Sequence, residues 1–377
     1  MVGAATVYGL AWVVVLVLPM LAAIQAISAA IGGVCRTSLQ GAIRRECGTG
    51  WALATLVAIV AVNVVTLAAD VEAGAESLTL LTGVPFQLFI VPFVAAVGWL
   101  LVSKSYLRVE RVLSFLPLIF LCYGASAIAA RADWGALLRG VVVPHFALSP
   151  AYASGALALI GTTLTSYVYL WESIEVAERR PRLANLRFFK ADATFGVIGA
   201  GVSFLFILAA TGATLGARHL PVETAADAAA ALTPVAGPWA GALFGTGLLA
   251  SAVLAVPILA GSTAYAVAQT FGWPGSLDAP FGAAPRFYAV VLGALAVAAV
   301  ASFAGIPPIA LLYWASIAGG IATPLTLFFA VRIASDRKVM GEHRIGRPLA
   351  AAGWAVTAIA TLACVAFGYT LLKGSGG

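Results

Sequence analysis

Charge is scarce in this chain. Asp, Glu, Lys and Arg make up only 10% of its 377 residues, against roughly 25% in a soluble globular domain, and this excludes an ordinary water-soluble fold. Histidine and methionine number three each. His145, His219 and His343 all fall between the apolar runs, so no histidine is available for a buried metal or a proton relay, and Met340 is no better placed. The four cysteines, Cys35, Cys47, Cys122 and Cys364, are scattered without a CxxC pair or metal-ligand spacing. They read as free packing residues. No span carries a nucleophile–base pair or an HExxH-like motif, which argues against a membrane-embedded enzyme.

What the chain has instead is apolar length. It is 62% hydrophobic with a mean hydropathy of +1.02, and runs long enough to cross a hydrocarbon core recur throughout. Hydropathy predicts ten spans, at about 7–34, 51–82, 84–103, 112–130, 152–177, 192–215, 238–270, 286–305, 308–333 and 349–372. The fold class is therefore all-α, a single polytopic domain of a plasma membrane. The first run is too long, and lacks the basic flank, to be a cleaved signal peptide.

The formal charge of +6 is explained by topology. Seventeen of the 21 Lys and Arg residues fall in loops on one side, leaving Arg131, Arg139, Arg218 and Lys373 on the other. Positive residues concentrate in the cytoplasm, so no nucleic-acid partner is implied. Both termini then come out on the far side, which a preceding inward-to-outward helix would explain.

Two polar clusters interrupt the apolar spans, where ionisable residues usually face a cavity or a pathway. The first is AADVEAGAES, with Asp70, Glu72 and Glu76. Glu76 fits the outer interface, Asp70 lies deeper, and Asn63 falls two turns earlier on nearly the same face. The second is GTTLTSYVYLWES, residues 161–173, with five hydroxyl side chains in the six positions 162–167. Glycine lowers helix propensity there, and hydroxyls compete for backbone hydrogen bonds. Two readings stay open: hydroxyls bonding back to carbonyls one turn earlier in a continuous helix, or an unwound helix lining a cavity with carbonyls freed for a cation. Glu175 and Glu178 run into ERRPR, where pairing with arginine is expected. Pro257, Gly261, Ser262 and Thr263 mark a second weak point, and Gly319 with Gly320 a third that close helix packing explains equally well.

These stretches, with ATGATL, LAVPILAGSTAYAVA and RKVMGEHRIG, resemble the Nramp divalent-metal transporters over essentially the whole chain, and are most similar to the Nramp-related magnesium branch. The resemblance implies a LeuT-like fold of inverted five-helix repeats. It also implies eleven helices, against ten here, the family's first helix with its Asp-Pro-Gly-Asn metal motif having no counterpart. The fifth span then corresponds to the family's sixth helix. Its Met-Pro-His motif falls on Thr165, Ser166 and Tyr167, its metal-binding carbonyl on Thr162 and its second histidine on Glu172. Asp70 matches a third-helix aspartate, whereas the glutamate expected three residues later is Ala73. The implied metal residues are Thr162, Thr165, Tyr167, Glu172 and Asp70, an oxygen-only set that suits Mg²⁺ before Mn²⁺. The metal is substrate, and no cofactor is implied. The alternatives are a LeuT-fold carrier of an amino acid or other small organic solute, and a truncated non-transporting paralogue. Neither the coupling ion nor the oligomeric state is legible.

Overall fold

The computed structural model describes residues 8–103, 122–144, 146, 149–179, 186–216, 222, 224–304 and 306–374. Its α-helices are α1 (Ala11–Cys35), α2 (Leu39–Cys47), α3 (Thr49–Thr82), α4 (Gln87–Val102), α5 (Cys122–Ala129), α6 (Trp134–Val142), α7 (Pro150–Thr163), α8 (Ser166–Arg179), α9 (Leu186–Thr214), α10 (Ala225–Ala230), α11 (Thr233–Ala236), α12 (Ala240–Phe271), α13 (Pro285–Ala301), α14 (Pro308–Ser335), α15 (Arg337–Met340) and α16 (Arg347–Gly374). There is no strand among the described residues.

Eight of the ten predicted spans appear as helices or helix pairs long and apolar enough to cross a membrane, and α4 is a shorter apolar helix at the third. The span predicted at 112–130 falls largely outside the described residues, and α5 covers only its end. The remaining elements occupy the connections. α2 is a short amphipathic helix between α1 and α3, capped by Ser38, whose hydroxyl accepts the Gly41 N–H. α10 opens on a capping box in which Thr224 and Asp227 exchange hydrogen bonds.

The centre is built from α3, which packs along α12 and α14, while α1 carries α8 and α9. Small residues set the close approaches. A Cβ built on Gly161 of α7 would sit 1.8 Å from the Ser316 carbonyl oxygen of α14, and one on Gly320 would sit 2.7 Å from Leu157. α7 and α14 therefore touch backbone to backbone, the arrangement by which helices associate where hydrophobic burial gives no advantage. Here the pair Gly319–Gly320 is a packing feature.

Candidate functional site

The fifth predicted span is two helices. α7 stops at Thr163, Leu164 and Thr165 are non-helical, and α8 starts at Ser166. In a continuous helix the Gly161 carbonyl would accept the Thr165 N–H. Here it accepts the Thr165 hydroxyl instead, at 2.5 Å, and that hydroxyl also lies 3.2 Å from the Thr162 carbonyl. The side chain has thus displaced the backbone donor, which is how a hydroxyl residue ends a helix. The Leu164 N–H closes the last turn on Ile160 at 2.8 Å. The Leu164 carbonyl, left over by the break, accepts the hydroxyl of Thr323 on α14 at 2.8 Å.

Both readings of the hydroxyl run are therefore partly realised. The helix is broken, and Thr165 and Thr163 still bond back one turn, Thr163 to Leu159 at 2.8 Å. Thr165 and Ser166 are buried, while the Thr162 side chain is exposed. The Ser166 hydroxyl has no hydrogen-bond partner among the described residues. Tyr167, on the first turn of α8, is half-buried and within electrostatic reach of the half-buried Asp70 on α3. Glu172 lies further along α8, half-buried. Asp70 and Tyr167 are thus near enough to interact electrostatically, whereas no group of three or more His, Cys, Asp or Glu side chains assembles among the described residues.

Asn63 donates to Ser262 at 3.1 Å and Thr263 at 3.0 Å, tying α3 to α12. α12 is unbroken through Pro257, and within it the hydroxyls of Ser262 and Thr263 both bond back to the Leu259 carbonyl. The expected weak point there is a continuous helix. Glu76 accepts the Ala225 N–H at 3.0 Å and so holds the start of α10. Glu175 pairs with Arg179 at 2.5 Å, as expected. Glu178 does not pair with an arginine in any contact described; it accepts the hydroxyls of Tyr265 and Ser276, the latter at 2.6 Å. Residues 180–185, which hold Arg180 and Arg182, two of the three arginines of ERRPR, lie outside the described residues.

Three contacts were missed by sequence reasoning. Thr323 and Thr326 of α14 brace the break, Thr326 by a hydroxyl–hydroxyl bond to the buried Tyr169. Tyr265 anchors the C-terminal end of α8. None carries a local signal, since each partner is far away in sequence.

A family model described as "Natural resistance-associated macrophage protein-like" matches residues 1–370. The chain belongs to the Nramp family. A relative from Deinococcus radiodurans, a divalent metal cation transporter MntH, is 28% identical over 378 residues, covering 95% of this chain and 81% of its own length. Another MntH, from Brucella suis biovar 1, is 32% identical over 216 residues, 53% of this chain and 45% of that relative. Among solved structures, the Eremococcus coleocola manganese transporter superposes with a TM-score of 0.73 at 19% identity, over 98% of this chain and 82% of that one. The inward-facing conformation of Mhp1 does so with 0.51 at 16% identity, over 99% and 87%. These likenesses establish the LeuT-like Nramp fold of a multi-pass membrane protein, and the named metal cation relatives are transporters rather than enzymes.

Proposed function

We propose that this Nramp protein carries divalent metal cations across the plasma membrane, Mg²⁺ first and Mn²⁺ second, by alternating access around the α7–α8 break. The observation that supports this most is the break itself. Its side chains and carbonyls offer oxygen only, with no sulfur or imidazole between residues 161 and 173. In the proposed site the Thr162 carbonyl and the hydroxyls of Thr165 and Tyr167 contact the ion directly or through its own water. Asp70 and Glu172 supply negative field. Thr165 donates its proton to a carbonyl, so its lone pairs stay available to a cation.

A hard oxygen set suits Mg²⁺, which keeps several waters and coordinates oxygen at about 2.0–2.1 Å. Thioether and imidazole would instead favour later transition metals. The two half-helices meet at Leu164–Thr165, which makes that junction the natural hinge for one half to move against the other.

The test is uptake into liposomes containing the purified protein, followed with Mg²⁺- and Mn²⁺-sensitive dyes. Uptake of Mg²⁺ at least as fast as Mn²⁺ is expected, with Asp70→Asn, Thr165→Val and Glu172→Gln each lowering it at least tenfold, about 1.4 kcal/mol of lost ion stabilisation. No uptake of either metal would refute the function. Normal uptake by all three variants would refute the site.

A further inference from the structure

Away from the helix break, a cavity of about 660 Å³ opens between α2 and the C-terminal end of α12, lined by Thr37, Arg44, Arg45, Gln269 and Trp273 among others. Both elements lie on the side where the basic loops concentrate, which the positive-inside rule makes cytoplasmic. α2 joins two membrane spans, buries Leu39, Ala42 and Ile43, and leaves Arg45 exposed. Its apolar face thus packs against the protein and its basic face turns outward.

The cavity walls are fixed from both sides. The Gln269 side-chain oxygen accepts the Ser38 hydroxyl and, at 3.1 Å, the Gly41 N–H. Arg44 donates from Nη1 to the Gln269 carbonyl at 3.2 Å. α12 then ends on Gly272, whose φ is +71°, and a Cβ there would sit 2.4 Å from Arg44 Nη1. Glycine thus serves both the left-handed turn and the passage of the guanidinium over the helix end. Arg45 spends its Nε on Glu46 at 2.6 Å and also interacts with the Cys35 thiol. Each arginine has five donors, so most of both forks is uncommitted among these contacts. Arg286 adds a third positive charge, stacked over the Trp273 ring at 5.6 Å. Trp273 in turn stacks on the half-exposed Phe271, the aromatic pattern of a membrane interface.

We propose that this cavity is a phosphate-binding site at the cytoplasmic membrane surface, taking the headgroup of an anionic phospholipid or free phosphate between the Arg44 and Arg45 guanidiniums. Planar guanidinium forks match phosphate oxygens. Basic pockets between spans on the cytoplasmic side are where anionic headgroups bind. The bound group would bridge α2 to α12, two elements now joined through Gln269, and it does not depend on which metal is carried.

Native mass spectrometry of the full-length protein in detergent tests this, with dioleoylphosphatidylglycerol, dioleoylphosphatidylcholine and inorganic phosphate as separate probes. Phosphatidylglycerol is expected to be retained on the order of tenfold better than phosphatidylcholine. Its retention falls to the phosphatidylcholine level in Arg44→Gln/Arg45→Gln and is unchanged in Arg337→Gln, a basic residue on another cytoplasmic segment. If millimolar phosphate displaces the lipid through the same arginines, the source is soluble phosphate. Arg44 also caps α12, so Arg45→Gln alone serves as the second variant: it should weaken retention several-fold with no change in thermal midpoint. Equal retention of both lipids without phosphate binding, or full retention in the double variant, overturns the proposal.

Discussion

Gly161→Ala probes the contact that holds the broken helix in place. The added Cβ would lie 1.8 Å from the Ser316 carbonyl oxygen, 2.5 Å from the Gly320 nitrogen and 2.9 Å from the Gly320 Cα. All three are backbone atoms, so no rotamer change relieves the overlap. Restoring ordinary contact near 3.5 Å requires α7 and α14 to part by roughly 1.5 Å. That shift also stretches the 2.8 Å bond from Thr323 to the Leu164 carbonyl. Overpacking of this kind costs about 1–3 kcal/mol, and the weakened hydrogen bond adds about 0.6 kcal/mol. Alanine recovers about 1 kcal/mol of helix propensity, which leaves a net loss of about 0.6–2.6 kcal/mol. Thermal unfolding in detergent, compared at one scan rate because such unfolding is commonly irreversible, should show the midpoint lowered by a few degrees. Gly293→Ala on α13 is the control, since a Cβ added there would meet nothing within 4 Å; it should leave the midpoint unchanged or slightly raised. An unchanged midpoint in Gly161→Ala, or an equal drop in Gly293→Ala, would refute the backbone-contact argument.

Three further outcomes follow from named contacts. Thr323→Val removes the donor to the buried Leu164 carbonyl at a cost of about 0.5–2 kcal/mol, and hydrogen exchange across residues 161–170 should quicken while α16 is unaffected. Tyr265→Phe leaves the half-buried Leu277 N–H without its 3.0 Å acceptor, while the exposed Glu178 turns to water; a loss of about 1 kcal/mol is expected, with new proteolytic cleavage between residues 272 and 284. At Cys47, on α2, burial pushes the thiol pKa up, and the nearby Arg332 only partly offsets this. Its thiolate is thus scarce at neutral pH and grows as pH rises. Iodoacetamide labelling should be slower at about pH 7.5 than for an unperturbed thiol and should keep climbing where an unperturbed thiol has levelled off, whereas a flat profile would contradict that assignment.

The spans were legible because hydropathy is a local property of about twenty consecutive residues. The contrast between two hydroxyl-bearing segments shows where legibility stops. Gly161 to Ser166 and Gly261 to Thr263 look alike in composition, yet α12 continues while the other helix breaks. In α12 the hydroxyls bond back to Leu259 and receive Asn63 from α3. At Leu164 the freed carbonyl is met by Thr323, 159 residues later. A break is tolerated in an apolar medium only where a distant donor completes it, and a single sequence does not show that donor. Glu178 is a similar case: the adjacent arginines made an ion pair the natural expectation, and the hydroxyls that bind it lie 87 and 98 residues away. For the candidate site, the polar run and Asp70 could be picked out from the sequence, but the approach of Asp70 to Tyr167 could not, because it depends on how α3 crosses α8.

The ties along α8 differ in how readily water can replace them, and this ranks its two ends. Near its start, Tyr169 bonds Thr326, and at its middle the Leu39 N–H donates to Ser173 at 2.9 Å; all of these groups are buried. Opening either leaves polar groups unsatisfied in a dry setting, at about 1–3 kcal/mol each. At the C-terminal end, Glu178 is exposed and exchanges Tyr265 and Ser276 for water with little penalty. A rocking half-helix would therefore part first from α12 at Glu178, while its bonds to α14 keep the break and its oxygen atoms in register. In the proposed motion the buried Thr323 and Thr326 would be the fixed end, and the solvated Glu178 the free one.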